Sequence, residues 1–204
     1  MLDEAVSDVL RLSREWGVPV PAEAAERIVR FLLHLLRWNE RVNLTGARDL
    51  AELLGEHLPD SFALAKLSPE RAEVVDVGAG GGLPGIPFAL IRPDCQVTLV
   101  EPRAKRIAFL NAAVREHACR SVKVLRARME ELADSGYDVA ASRAAFAPDE
   151  WLSRAGRILC TGGLAVVFAT APVAHTPGSI GLVREISYAT ASGSPRWAAT
   201  FCFT

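Results

Sequence analysis

Val74-Val75-Asp76-Val77-Gly78-Ala79-Gly80-Gly81-Gly82-Leu83-Pro84-Gly85 is the densest signal in the chain. The three valines around Asp76 make a short buried strand, because β-branched side chains suit a covered, pleated surface. Four glycines in five positions follow, and then Pro84, whose preset φ suits the first turn of a helix. Without a Cβ, such a loop lets backbone come close to a ligand and takes positive φ at no steric cost. A strand, a glycine loop and a helix in this order predict a nucleotide-like ligand at the switch point of a parallel sheet.

Outward from the loop, short apolar runs alternate with helical ones. Val97 to Val100, Val122 to Leu125, Val139 to Ala141 and Leu164 to Phe168 are strand-like; stretches near 84–92, 104–117, 128–134 and 149–157 have helical character. This alternation predicts a parallel sheet covered on both faces. Leu182 to Tyr188 and Arg196 to Phe203, separated by the turn composition Ser192-Gly193-Ser194-Pro195, read as a closing hairpin and bring the strand count to seven. Before Glu73 there is only helical period: Val6, Val9 and Leu10; then Ile28, Phe31, Leu32, Leu35 and Leu36 after Pro21; then Leu50, Leu53, Leu54 and His57 after Asp49. The expected organisation is an N-terminal helical extension over residues 1–66 and an α/β core over 67–204.

Composition sets the outer bounds. The chain has 204 residues, half of them hydrophobic, which is enough for one well-buried core and excludes wholesale disorder. A net charge of −1 excludes a uniformly basic nucleic-acid coat, but the charges are clustered. Between Arg103 and Arg128 eight Lys or Arg stand against the single acid Glu116, and five arginines between Arg27 and Arg48 stand against Glu40. Cys95, Cys119, Cys160 and Cys202 are widely spaced with no C-x-x-C pair, so no metal site is expected and the thiols read as free and buried in a reducing cytoplasm. No stretch is long and apolar enough for a membrane span, and Asp3 and Glu4 do not suit a signal region.

Two cofactors compete for the loop. Gly80-x-Gly82-x-x-Gly85 has the letters of the dinucleotide fingerprint, in which helix N-terminal amides hold a pyrophosphate. Pro84, however, removes an amide donor where phosphate would need one. The other frame, Asp76-x-Gly78-x-Gly80-x-Gly82, resembles the first motif of S-adenosylmethionine-dependent methyltransferases, where the acidic residue lies beside the amino-acid part of a cofactor that has no phosphate. Glu101 closes the second strand, 23 residues beyond Gly78, where either fold sets a carboxylate on ribose hydroxyls.

From about Arg37 to Gly163 the chain resembles the glucose-inhibited division protein B family, bacterial enzymes that methylate the seven-position nitrogen of a guanine in small-subunit (16S) ribosomal RNA. The resemblance rests on Trp38-Asn39 with Asn43-Leu44-Thr45, His57 with Asp60-Ser61, Asp76 through the Leu83-Pro84-Gly85-Ile86-Pro87 continuation, Lys105-Arg106 before Phe109-Leu110, Arg128 with Glu130, and Ser142-Arg143-Ala144. It implies a Rossmann-like class I methyltransferase fold, with a seven-stranded, mostly parallel sheet, that binds S-adenosylmethionine. Asp76, Gly78, Gly80 and Leu83 would border the cofactor, Glu101, Pro102 and Arg103 its ribose and adenine, and Met129 and Glu130 its adenine. Arg143 would lie beside the methyl-transfer pocket as a positioner. The implied partner is small-subunit ribosomal RNA or the assembled subunit, met in the cytoplasm by a monomer. The chain departs from the family pattern where Ala169-Thr170 follow Phe168, where Ala145 extends Ser142-Arg143-Ala144-Ala145-Phe146, and between Ala171 and Gly181, where Pro172 and Pro177 replace a basic helical stretch.

The implied chemistry needs no general base, because that guanine nitrogen already carries a free lone pair. Alignment alone can supply up to about 7–11 kcal/mol. Phe146 is a candidate stacking surface for the base, although it reads first as core, and the basic run from Arg103 to Arg128, with Arg37, Arg41 and Arg48, is a candidate for phosphate contacts. His34, His117, Trp16 and Trp38 read as packing or surface groups. A methyltransferase acting on another substrate, a nicotinamide-dependent oxidoreductase and a non-catalytic RNA-binding relative remain open alternatives.

Overall fold

The computed structural model describes residues 2–132, 136–173 and 180–203. Seven strands form one sheet in the order β3-β2-β1-β4-β5-β7-β6. They are β1 (Glu73–Val77), β2 (Gln96–Val100), β3 (Val122–Leu125), β4 (Tyr137–Ser142), β5 (Leu159–Ala169), β6 (Ile180–Ala189) and β7 (Pro195–Phe203). The first five run parallel, and β7 enters antiparallel between β5 and β6. The seven expected strands are therefore all present, and the closing hairpin is a true β6–β7 pair. Chain order jumps from β1 outward to β2 and β3, then back to β4, so a crevice opens at the carboxyl ends of β1 and β4.

Alternation along β1 shows how the two faces are built. Val74 belongs to the cluster under the N-terminal helices, whereas Val75 and Val77 belong to the opposite cluster with Trp151, Leu152 and Phe201. The first face is covered by α1 (Leu2–Trp16), α2 (Ala22–Asn39), α4 (Leu58–Leu67), α5 (Gly85–Ile91) and α6 (Ala104–Glu116), with α3 (Leu50–Glu52) beside α2. Ile28, Phe31, Leu32, Phe62, Phe88 and Phe109 are fully buried there in a single cluster. The second face carries α7 (Pro148–Ala155) and a 3-10 turn at Met129–Leu132. The helix read over 128–134 is thus this short turn, and residues 133–135 lie outside the described set.

The third helical period after Asp49 is also modified. Asp49 caps α3 by accepting from the Glu52 amide at 2.8 Å, and Glu52 returns a carboxylate to the Arg48 amide at 3.0 Å. Residues Leu53–His57 then widen into a π-helical turn before α4 begins. Such turns redirect side chains, and this one sets His57 and Asp60 at the crevice. The four thiols are free, but only Cys95 and Cys119 are buried; Cys160 on β5 and Cys202 on β7 are half-buried. No helix among the described residues is long and apolar enough to cross a membrane.

Candidate functional site

The glycine loop, the end of β2, the 3-10 turn and the segment after β4 surround a cleft of about 1220 Å3 at the switch point. Gly78, Gly80 and Leu83 line it, as do Glu101, Pro102, Arg103, Met129, Glu130 and Arg143. These residues come from four separate stretches of sequence, and the sheet brings them to one cavity. Asp76 does not line it. Its carboxylate is 1% exposed behind the loop and accepts the Gly85 amide at 3.1 Å, so it braces the start of α5. Burial pushes its pKa up to about 6, against the opposing pull of Arg143 and the Gly85 amide.

Backbone geometry shows why the loop needs glycine. Gly78, Gly80 and Gly82 have φ of +77°, +54° and +78°. A Cβ on Gly78 would stand 2.7 Å from the Ala145 Cβ, and one on Gly82 would stand 2.7 Å from Ile86 Cδ1. Glu101 secures the loop from the neighbouring strand. Its Oε2 accepts the Gly80 amide at 3.1 Å and its Oε1 accepts the Arg103 amide at 2.9 Å. Each carboxylate oxygen has a second lone pair, so Glu101 can still accept hydroxyl donors from a ligand. Arg106 Nη1 lies 3.6 Å from Glu101 Oε2 and offsets the charge.

Across the cleft, Arg143 follows β4. Its Nη1 donates to Asp60 Oδ2 at 3.0 Å and to His57 Nδ1 at 2.9 Å. Tyr188, reaching in from β6, donates its hydroxyl to the other Asp60 oxygen at 2.6 Å. Burial, then Arg143, hold the His57 imidazole below its ordinary pKa, so it is neutral and accepts from Arg143. Burial and Asp60 drive the Tyr188 pKa upward, so its hydroxyl keeps its proton. Ser61 donates to the Pro84 carbonyl at 3.0 Å and ties the same helix to the glycine loop. The sequence motif contained His57, Asp60 and Ser61, but Tyr188 gave no signal there, being an ordinary aromatic of an expected strand.

Phe146 is half-buried at the cleft rim, stacked on Trp151 at 5.9 Å with the Arg154 guanidinium 5.3 Å above its ring. Both of its readings therefore hold in part: one side packs and the ring borders the cleft. Glu130 is exposed and paired with Arg154 at 2.7 Å; its own backbone, the largest cause, and Arg154 keep its pKa low. Phe168 through Val173, the stretch that departs from the family pattern, also line the cleft, while Pro177 lies outside the described residues. Of the arginines read as phosphate contacts, Arg103, Arg115, Arg120, Arg126 and Arg128 are exposed, as are Arg37, Arg41 and Arg48, whereas Arg106 is half-buried beside Glu101 at 3.6 Å.

Solved structures share this architecture. A SAM dependent methyltransferase from Aquifex aeolicus superposes with a TM-score of 0.57 at 15% identity, covering 76% of this chain and 94% of that one. M. jannaschii TYW2, solved in complex with AdoMet, superposes at 0.55 and 15%, covering 72% and 75%. At such identities the likeness establishes the fold. Sequence relatives go further. Ribosomal RNA small subunit methyltransferase G of Neisseria meningitidis serogroup C is 37% identical over 147 residues, 72% of this chain and 71% of that protein. Its counterpart in Ralstonia nicotianae is 36% identical over 160 residues, 74% and 72%. The GidB profile, described as rRNA small subunit methyltransferase G, matches residues 24–171, the span that holds the glycine loop, Glu101, Met129, Glu130, Arg143 and Phe146. With the cleft and the matched span coinciding, the chain belongs to the GidB family of small-subunit rRNA methyltransferases.

Proposed function

We propose that this chain transfers a methyl group from S-adenosylmethionine to the seven-position nitrogen of a guanine in small-subunit ribosomal RNA. The observation that carries the reading is the pairing, in one cleft, of a positive-φ glycine cradle held by the buried Glu101 with a guanidinium anchored on the opposite wall. The residues fit the cofactor. Gly78 and Gly80 leave open backbone where a side chain would intrude, Glu101 retains acceptor capacity for ribose hydroxyls, and Met129 with Pro102 offers apolar walls for an adenine. When bound, the cofactor supplies an electrophilic methyl on a sulfonium, and the acceptor nitrogen needs no deprotonation.

The protein's contribution is therefore placement and electrostatics. Asp60 and the neutral His57 fix the Arg143 guanidinium, so it can donate to an acceptor edge of the base without reorganising. Phe146 supplies a ring at the rim on which a splayed base can stack, a contact worth about 1–3 kcal/mol. Arg103 and Arg128 border the same opening and suit phosphates. Asp76 acts through the backbone of α5, not through the ligand. The same reading keeps residues 1–66 as a helical extension on a 67–204 core, acting as a monomer in the cytoplasm; the cluster shared by Phe31, Phe62 and Phe88 supports the packing of the two parts.

The test is a transfer assay with labelled S-adenosylmethionine and small ribosomal subunits lacking the modification, followed by nucleoside identification. Label in 7-methylguanosine that disappears in Glu101→Ala and Arg143→Ala is expected. Label in another nucleoside, or none with cofactor binding intact, overturns the assignment.

A further inference from the structure

Between α2 and the end of α6, two imidazoles meet. His34 Nδ1 lies 3.2 Å from His117 Nε2 and 3.4 Å from Glu116 Oε2. His34 is on α2, and Glu116 and His117 end α6, so residues more than 80 positions apart in sequence converge. The three ligand-type atoms all lie within 4.8 Å of one another. We infer that His34, His117 and Glu116 form a binding site for a divalent cation of the zinc class.

The spacing carries the inference. Zinc bonds nitrogen and carboxylate oxygen at about 2.0–2.2 Å, so adjacent ligands at a tetrahedral ion stand about 3.3–3.5 Å apart. The two measured separations from His34 fall on or beside that edge length without rearrangement. Both imidazoles are buried, at 5% exposure, with their rings held in place. His34 is edge-on to Phe109 and Trp38, and His117 is edge-on to Phe31. Burial lowers the pKa of each, and for His117 the neighbouring His34 adds to it, so both are neutral ligands at pH 7. Of two neutral ring nitrogens facing each other one carries a proton, and for both to bind a cation that ring takes its other tautomer, with no net proton released.

Glu116 is exposed and can swing, and its present neighbour Arg37, at 3.7 Å, is a surface partner easily exchanged. Glu116 and His117 also line a separate cavity of about 480 Å3, with Arg30, Leu33, Leu36, Arg37 and Glu40. Glu40 or water can complete the set there. The opposing charges are Arg27, which donates to the His117 carbonyl at 2.6 Å, and Arg37. Nothing here depends on the methyl-transfer cleft: the site would clip α2 of the N-terminal helices to the end of α6, within the layer that covers the first face.

The experiment is calorimetric titration of Zn2+ into the full chain after chelator treatment, with Co2+ absorption as the geometric readout. One equivalent should bind, the Co2+ spectrum should show intense tetrahedral visible bands, and zinc should raise Tm. His117→Gln should abolish these signals. Glu116→Gln, on an exposed side chain that leaves the metal-free Tm unchanged, should weaken binding by at least about tenfold and so keeps the test valid if the histidine variant does not fold. Absence of binding to the wild type shows only a hydrogen-bonded histidine pair and overturns the proposal. So does binding undiminished in both variants, which puts the ion elsewhere.

Discussion

Placing a methyl group on Gly78 tests the cradle directly. The residue has φ of +77°, and an added Cβ would stand 2.7 Å from the Ala145 Cβ, about 0.7 Å closer than ordinary contact. Gly80 is the internal control, since it also has positive φ, at +54°, but its Cβ would make only ordinary contacts, with Arg106 Nη1 at 3.5 Å and the Gly78 carbonyl oxygen at 3.6 Å. Left-handed backbone costs an L-residue about 1–2 kcal/mol, and Gly80→Ala should lose that much. Gly78→Ala should lose the same and about 1–3 kcal/mol more for overpacking against the 142–146 loop. For a chain of this size each kcal/mol is about 2–4 °C of Tm, so thermal melts should rank Gly78→Ala clearly below Gly80→Ala. Because that loop carries Arg143, Gly78→Ala should also weaken S-adenosylmethionine binding in calorimetry by more than Gly80→Ala does. Equal losses in the two variants, in Tm and in affinity, would refute the claim that Ala145 closes over Gly78.

Asp76→Asn should change the pH dependence of stability. The folded pKa of about 6 lies above the usual carboxylate value, so the folded state binds the extra proton and stability falls as pH rises from about 4 to 6. The asparagine chain should lack that decline, worth about 3 kcal/mol, when urea unfolding is compared at pH 4 and pH 7; parallel profiles would count against it. Tyr188→Phe removes a 2.6 Å donor to the buried Asp60, which should cost about 1.5–3 kcal/mol and lower the methyl-transfer rate through a loosened Arg143; an unchanged rate would make the contact purely structural. Arg92→Ala should lower stability by about 3 kcal/mol in chemical denaturation without touching transfer, since its guanidinium holds the Ala65, Ser68 and Pro69 carbonyls and Asp94 at the end of α4. Lost activity at normal stability would refute that separation.

Local pattern made much of this molecule legible. Valine-rich runs mark strands because branched side chains pack on a covered sheet, and the spacing from Asp76 through Glu101 follows from one βαβ crossover, so the glycine loop and the ribose-side carboxylate could be found from residue order alone. The helix read over 128–134 is only a 3-10 turn at Met129–Leu132, because a short apolar period does not fix helix type. Two of the four cysteines read as buried are half-exposed, since burial depends on which layer covers a strand.

The linear order of residues thus determined the sheet, its switch point and the cleft residues on the loop and on the end of β2, because each is set by neighbours close along the chain. Tertiary structure alone decided what those residues do together. Asp76 turns inward to brace Gly85 because its strand face meets α5. Tyr188 reaches Asp60, 128 positions away, only because the closing hairpin folds back over α4, and His34 meets His117 only because α2 lies along α6. Pairings across such separations are products of layer packing, which no period or spacing in the chain encodes.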